Sequence, residues 1–450
     1  MNIDASSPAD ATSDFAATAL RLDARMPRVA LVMAWWSICS AMFYLFLGAT
    51  LALTYGTHNA LIGMILAVAS FGVLNGALAR YAAKTGMSSS ALSQAMLGAG
   101  GGALATLILC LTALYYAVFE GSVLAVTLSK VAPSIAYGTA SAIIVTYSIP
   151  LVCGSVQHWF NRFNAALLPF YLLGLAALAV LTVRGRNYSD AWLHLVPLDG
   201  APAHAWWSCF TAYFGVLALS MCTLDFARFG RPKDAAFHAG ITFGVPFYAM
   251  TFLVNGVVGI LLIGSVDAMR LSETSIVDCS LSVLGAGGGL AWVWVTQTRS
   301  NTANYYISVV NLQAFIEETL AIRLPKVLCA IAVGIVVLVL MSLTNVFSYL
   351  LTALNYQGIF VTAWIGVAIS HIVRTLPIRK EAHIARDLNS ARRGCLIAWL
   401  MGAITGIAVM HFGGRYASVS VPINLLVSGL LYRFFIRTTR SPNCGSLPAL

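Results

Sequence analysis

Runs of about twenty apolar residues, separated by short polar breaks, recur along the chain from Val29 to Phe435. At 1.5 Å of rise per residue, roughly 20 residues cover a hydrocarbon core about 30 Å thick. The pattern predicts twelve membrane-spanning helices, at 29–54, 59–79, 100–129, 136–155, 162–183, 204–224, 238–263, 283–307, 325–343, 346–371, 394–412 and 419–436. They are numbered here as spans one to twelve. A transmembrane barrel would show alternating segments of about ten residues instead.

Polar residues inside these runs mark positions that an ordinary lipid-facing helix lacks. Span three holds Tyr115, Tyr116, Phe119 and Glu120 in "LTALYYAVFEGSVLAV". Tyr116 and Glu120 are four apart and share a helix face. A carboxylate at this depth is costly and faces protein, water or a ligand; a bond to a neighbouring helix is the plainer reading. Span six, "FTAYFGVLALSMCTLDFARFGRP", sets Gly215 beside Tyr213 and Phe214, where glycine permits an unwound turn or the close approach of a flat ligand. Asp225 and Arg228, three apart at its end, read as a local pair with an architectural role. Span one contains "AWWSICSAMFY", and its small residues Ser37, Cys39 and Ala41 fit two readings. One is a broken helix whose carbonyls hold a cation, the other simple helix packing. In span ten, Asn355, Gln357 and Gly358 of "LTALNYQG" are expected to form another irregular or cavity-facing turn.

Span eight is the most polar of all. Its stretch "VTQTRSNTANYY" runs from Val295 to Tyr306. Gln297, Ser300, Asn301 and Asn304 fall on one face at spacings of three and four, while Arg299 projects elsewhere. Such a face lines a cavity or joins an interhelical network worth about 0.6 kcal/mol per hydrogen bond. The density of amides and the intramembrane charge favour a binding site.

Composition narrows the class. The chain of 450 residues is 59% hydrophobic and 9% charged, against about 25% charged in soluble proteins. No separate soluble domain fits between the spans. Residues 1–28 are polar without a signal-peptide core and read as a disordered cytoplasmic tail, and 437–450 read as a cytoplasmic tail. The net charge of +10 lies mostly in short loops, so nucleic acid is not indicated as a partner. Twenty of the 26 Lys and Arg residues fall on the side of the N-terminus, five fall opposite, and Arg299 lies within a span. By the positive-inside rule both termini are cytoplasmic. The nine cysteines lack metal-ligand spacing and lie mostly in apolar runs. "GAGGG" at 98–102 and 285–289 lies beside membrane entries rather than after a soluble strand, so it is no phosphate loop. Neither enzyme chemistry nor a cofactor is indicated. An ion gradient is the simplest energy source.

"DFARFGRP" closing span six, "TRSNTANYY" in span eight and "LTALNYQG" in span ten, in that order and spacing, resemble the nucleobase–cation symporter family of bacterial cytosine, purine and hydantoin permeases. The resemblance implies an all-α polytopic membrane protein with a LeuT-like five-plus-five inverted repeat, 29–183 and 204–371, two additional helices at 394–436, and spans one and six interrupted midway. It places a ring-stacking aromatic at Tyr116 and a hydrogen-bonding group at Glu120. The glycine and aromatic of span six fall near Gly215 and Val216, with Phe214 or Tyr213 as the substitute aromatic. The heterocycle-binding asparagine falls at Asn304 or, one residue on, at Tyr305, with Asn301 just before it. Positions for coupling or gating are Ser37, Cys39, Ala41, Thr296, Arg299, Ser300 and Gln357. A Na⁺ site near Ala41, Thr296 and Ser300 is contested by Arg299, which has no acceptor atom and keeps its charge. The coupling ion is therefore H⁺, with Glu120 as its carrier, or Na⁺, and a uniport-like mechanism is the further option. The implied function is import of a nucleobase or related small heterocycle across a bacterial inner membrane, an aminopyrimidine or purine before a hydantoin. A permease for an amino acid or vitamin and a non-transporting membrane sensor are the alternatives. Oligomeric state is left open.

Overall fold

All twelve apolar segments are helical in the computed structural model, which describes residues 19–153, 156–185, 188–197, 200–265, 274–343, 348–375 and 388–438. Spans two to five are Thr57–Thr85, Ser89–Val131, Tyr137–Cys153 and Val156–Arg184. Span seven is Pro232–Gly264. Spans eight to twelve are Ser275–Leu320, Lys326–Leu343, Leu350–Thr375, Leu388–Phe412 and Ser420–Thr438. Among the described residues ten helices are long and apolar enough to cross a membrane, and the bent pair of span one makes an eleventh. Tyr137–Cys153 is a shorter apolar helix. Span nine shows why these helices belong in lipid: Leu328, Ile331, Ile335 and Val339 recur at helical spacing and are all exposed.

Spans one and six are not continuous. Span one runs Arg28–Trp36, tightens into a turn at Ile38–Ser40, and resumes at Phe43–Tyr55 with a bend of 43°. The local sequence explains the break. Ser37 and Ser40 turn their hydroxyls back onto the carbonyls of Ala34 and Ser37 at 2.8 and 2.7 Å, and the Cys39 thiol reaches the Trp36 carbonyl at 3.0 Å. Such back-bonding competes with the regular helix ladder. Span six runs Ala205–Tyr213, narrows to a 3₁₀ turn at Phe214–Leu217, and continues as Ala218–Ala227.

Packing sorts the helices into groups. Spans one, two, six and seven contact one another as one bundle, and spans three, four, eight and nine form a second. Span five touches spans one and eight. Span ten lies against the break in span six and packs with spans eleven and twelve. The second half of span one meets span seven at very close range through glycines. A Cβ on Gly259 would lie 2.1 Å from the Leu45 carbonyl oxygen, and one on Gly48 would lie 2.4 Å from the Gly256 Cα.

The segment expected to be a disordered tail, residues 1–28, is described only from residue 19 onward. There Leu20–Met26 is pinned down. The Leu20 and Met26 amides donate to the carbonyls of Gly86 and Phe229 at 2.9 and 2.7 Å. The buried Arg25 guanidinium donates to those of Ala83 and Gly230 at 2.8 and 2.6 Å. An arginine fork satisfies carbonyls at two helix ends together, so the segment is ordered. The polar segments 376–387 and 439–450 lie outside the described residues.

Gly259→Ala should force spans one and seven apart and cost about 1–3 kcal/mol by overpacking. Its thermal unfolding midpoint in detergent is expected to fall. Gly100→Ala, whose Cβ would meet nothing within 4 Å, should leave the midpoint unchanged or raise it.

Candidate functional site

A cavity opens where the two breaks face spans three and eight. Span one supplies Ala41, Phe43 and Tyr44; span three supplies Thr112, Tyr116 and Glu120; span six supplies Val216, Leu219 and Cys222; span eight supplies Ser300, Ala303 and Asn304. Thr112, Tyr116 and Glu120 are each four residues apart, which stacks them on one face. Gln357 Nε2 of span ten donates to the Tyr116 hydroxyl at 2.9 Å, and Phe43 meets the Tyr116 ring edge-on at 5.0 Å. The ring is held at its tip and its edge.

Glu120 is 1% exposed. Ser300 and Gln297 flank its carboxyl, and the Tyr44 and Tyr116 hydroxyls lie close enough to feel its charge. Glu120 Oε2, Gln297 Nε2 and Ser300 Oγ each lack a hydrogen-bond partner. Asn304 is only partly buried and also lines the cavity. Buried polar atoms are almost always satisfied, so a cluster of unsatisfied ones around a cavity marks a place where something polar binds.

Span eight reaches this site with one of three polar faces. Gln297, Ser300 and Asn304 look toward the cavity and the break of span one, where Gln297 Oε1 accepts the Met42 amide at 3.1 Å. Thr298, Asn301 and Tyr305 look toward span four. Thr298 shares a 2.8 Å hydrogen bond with the Tyr147 hydroxyl, and Asn301 Nδ2 donates to Ser148 Oγ at 3.3 Å. Trp292, Thr296 and Arg299 share the third face, which meets span five through Trp292. Trp292 stacks on Tyr171 and donates to its carbonyl at 3.3 Å, and Thr296 bonds back to Val293 at 3.0 Å. Arg299 is fully buried, and Cys39 and Tyr171 feel its charge.

Several expected contacts fall elsewhere. Asn301 faces Ser148 rather than the cavity, because one residue moves the side chain about 100° around the helix. Tyr305 is fully buried and does not line the cavity. Phe214 packs edge-on against Phe210 and Phe71 at 5.0 and 6.1 Å, and Val216 takes the cavity position. Gly215 serves helix approach: a Cβ there would sit 2.5 Å from the Leu354 Cβ of span ten. Span ten itself is regular, and Gly358 is the reciprocal contact of Gly215. Asp225 is not simply a local partner of Arg228. It accepts the Ser89 amide and hydroxyl, both at 2.8 Å, and so joins span six to the start of span three. Of the positions expected for coupling or gating, Ala41 and Ser300 line the cavity, Gln357 anchors Tyr116, and Ser37 and Cys39 shape the break.

Thr112, Tyr44 and Cys222 are among the lining residues that the sequence reading did not single out. Thr112 was available as the next step in the spacing of four through Tyr116 and Glu120. Tyr44 and Cys222 carried no signal, because their exposure to the cavity depends on how the half-helices pack.

No protein-family model and no curated protein sequence matches the chain. Solved structures do. Mhp1, described as a nucleobase-cation-symport-1 family transporter, in a closed conformation with bromovinylhydantoin bound, superposes with a TM-score of 0.71 at 13% identity, over 93% of this chain and 94% of that one. Its inward-facing conformation gives 0.72 at 13% identity over 94% of both chains. The chain has the fold of Mhp1. A manganese transporter of Eremococcus coleocola is similar at 0.55 and 13% identity, over 95% of this chain and 99% of that one. Spans three and eight share a local feature. The same six residues, "LGAGGG", occur at 97–102 in span three and at 284–289 in span eight. The first glycine of each, Gly98 and Gly285, takes a positive φ, 75° and 76°, that kinks the helix.

Removing Gln297 should expose the purpose of its amide. Gln297→Ala leaves the buried Met42 N–H without an acceptor and should cost about 1–3 kcal/mol, read as a lower unfolding midpoint. Asn304→Ala, which only empties part of the cavity, should stay within about 0.5 kcal/mol of the parent.

Proposed function

We propose that the chain is a secondary transporter that imports a small, flat, amino-bearing heterocycle by alternating access. The observation that carries this reading is the cavity between two broken helices and spans three and eight, walled by Tyr116 and edged by the unsatisfied polar atoms of Glu120, Gln297 and Ser300. An aromatic face stacks on a flat ring for about 1–3 kcal/mol. The Asn304 amide pairs with a neighbouring donor and acceptor on the ring edge, and the Glu120 carboxylate accepts from an exocyclic amine or ring N–H. That set favours an aminopyrimidine or purine over a hydantoin. The hydantoin derivative bound to Mhp1 supports a heterocycle of this size in the same fold.

The two bundles give alternating access its moving parts, and the Asp225–Ser89 contact ties them together at the basic end of the molecule. The distribution of Lys and Arg supports placing that end and both termini in the cytoplasm of a bacterial cell, with the chain in the inner membrane. No ATP-binding motif is present in the sequence, which supports an ion gradient as the driving force. Glu120, alone in acidity among the cavity-lining side chains, is the group to carry a coupled proton.

Uptake of radiolabelled cytosine, adenine, hypoxanthine and hydantoin into proteoliposomes tests the reading. The expected result is saturable uptake of an amino-bearing ring, with affinity lowered about 10- to 100-fold by Tyr116→Ala or Asn304→Ala. Uptake of an amino acid without uptake of any ring would refute it, as would ring binding with no flux.

A further inference from the structure

The stretch from Ser89 to Leu97 is a helix of its own. The positive φ of Gly98, 75°, turns the chain at its end, so it runs in a different direction from the rest of span three. Ser88 caps its start, with its hydroxyl accepting the Ala91 amide at 2.9 Å. The Ser89 amide is another of the donors that a helix leaves over at its beginning. It goes to a different helix. Asp225 of span six accepts this amide on Oδ1 and the Ser89 hydroxyl on Oδ2, both at 2.8 Å. A carboxylate in this position gains charge-assisted hydrogen bonds and the positive pole of the helix dipole together.

The short helix is gripped on two further sides. Trp364 Nε1 of span ten donates to Ser93 Oγ at 2.9 Å, and Gln94 Nε2 donates to Glu318 Oε1 of span eight at 2.5 Å. Of these three attachments, the one through Asp225 reaches the bundle of spans one, two, six and seven. Its position on span six gives the bond its meaning. Beyond the break, Ala218–Ala227 is one continuous helix on which Leu219 and Cys222 line the cavity. Asp225 stands one turn past Cys222, about 4.5 Å further along the axis. That is the end of the span where the Met26 amide meets the Phe229 carbonyl. The bond therefore lies between the cavity and that end of the molecule. Resting on the transporter reading above, we infer that Asp225 and the helix start at Ser89 form a latch that seals the cavity toward the cytoplasmic ends of spans three and six. The cavity opens on that side only when the carboxylate lets go of Ser89. One carboxylate makes both bonds to one residue, so they form and break together, which gives the two bundles a discrete closed position.

Native cysteines report the outcome without any substrate, so its failure is distinguishable from failure of the heterocycle reading. Cys222 lines the cavity, whereas Cys209, on the other half of span six, is fully buried away from it. Inside-out membrane vesicles holding the full-length protein are treated with a membrane-impermeant sulfonated maleimide. Labelling of each cysteine is followed by peptide mass spectrometry in wild type, Ser89→Ala and Asp225→Ala. Ser89→Ala keeps the amide and loses the hydroxyl, while Asp225→Ala loses both bonds. The Cys222 rate is expected to rise in that order, by about tenfold in Asp225→Ala, with Cys209 unchanged. Equal Cys222 rates in wild type and a folded Asp225→Ala variant would overturn the inference. So would a joint rise of Cys222 and Cys209, which marks a general loosening of the fold rather than an opened latch. If Asp225→Ala yields no folded protein, Ser89→Ala decides alone: a rise confined to Cys222 supports the latch, and a wild-type rate refutes it.

Discussion

Backbone groups in the middle of a bilayer find no water to bond with, and each one left unpaired costs several kcal/mol. Spans one and six nevertheless interrupt their helices there. The rest of the structure is arranged around satisfying those breaks. Gln297 of span eight accepts the Met42 amide at the start of the second half of span one. Asn255 of span seven donates to the Cys39 carbonyl at the end of its turn. In span six the break is covered differently, by laying span ten against it at glycine range through Gly215 and Gly358. Each repair comes from another helix, so the breaks exist only in the assembled fold.

The same arrangement produces the cavity. A continuous helix would direct its backbone polar groups inward along the axis; two interrupted ones open space between them and bring spans three and eight to the gap. What faces that gap is chemically sorted. Tyr116, held at its hydroxyl by Gln357, offers a ring. Glu120, Ser300 and Asn304 offer polar atoms to an edge. Gln297 belongs to both systems, since its oxygen caps span one while its nitrogen adjoins Glu120. Occupancy of the cavity and the geometry of the break are therefore linked through one side chain.

Much of this was legible in the sequence, and the exceptions are instructive. Apolar run lengths located the twelve spans among the described residues, since lipid thickness sets that length directly. Spacing of four placed Tyr116 and Glu120 together. Helical spacing alone put Asn301 beside Asn304, and there it failed: both lie on the polar side of span eight, but only the neighbours decide which part of that side meets a cavity. Ser148 claims Asn301. "GAGGG" was read only as an absent phosphate loop, although its first glycine kinks both span three and span eight. Gly215 was expected to permit an unwound turn or the approach of a flat ligand; it does lie in a 3₁₀ turn, and the space beside it holds span ten. A glycine reports close approach without naming what approaches.

The central claim is that a heterocycle lies with its polar edge on Glu120. It is tested most directly by equilibrium binding of a matched amino and oxo ring, cytosine and uracil, to purified wild type and Glu120→Gln. The account predicts that wild type prefers the amino ring and that the amide variant loses or reverses that preference, with its unfolding midpoint retained. An unchanged ratio of affinities in a folded Glu120→Gln variant would contradict it, and would make Glu120 a packing residue beside an unrelated site.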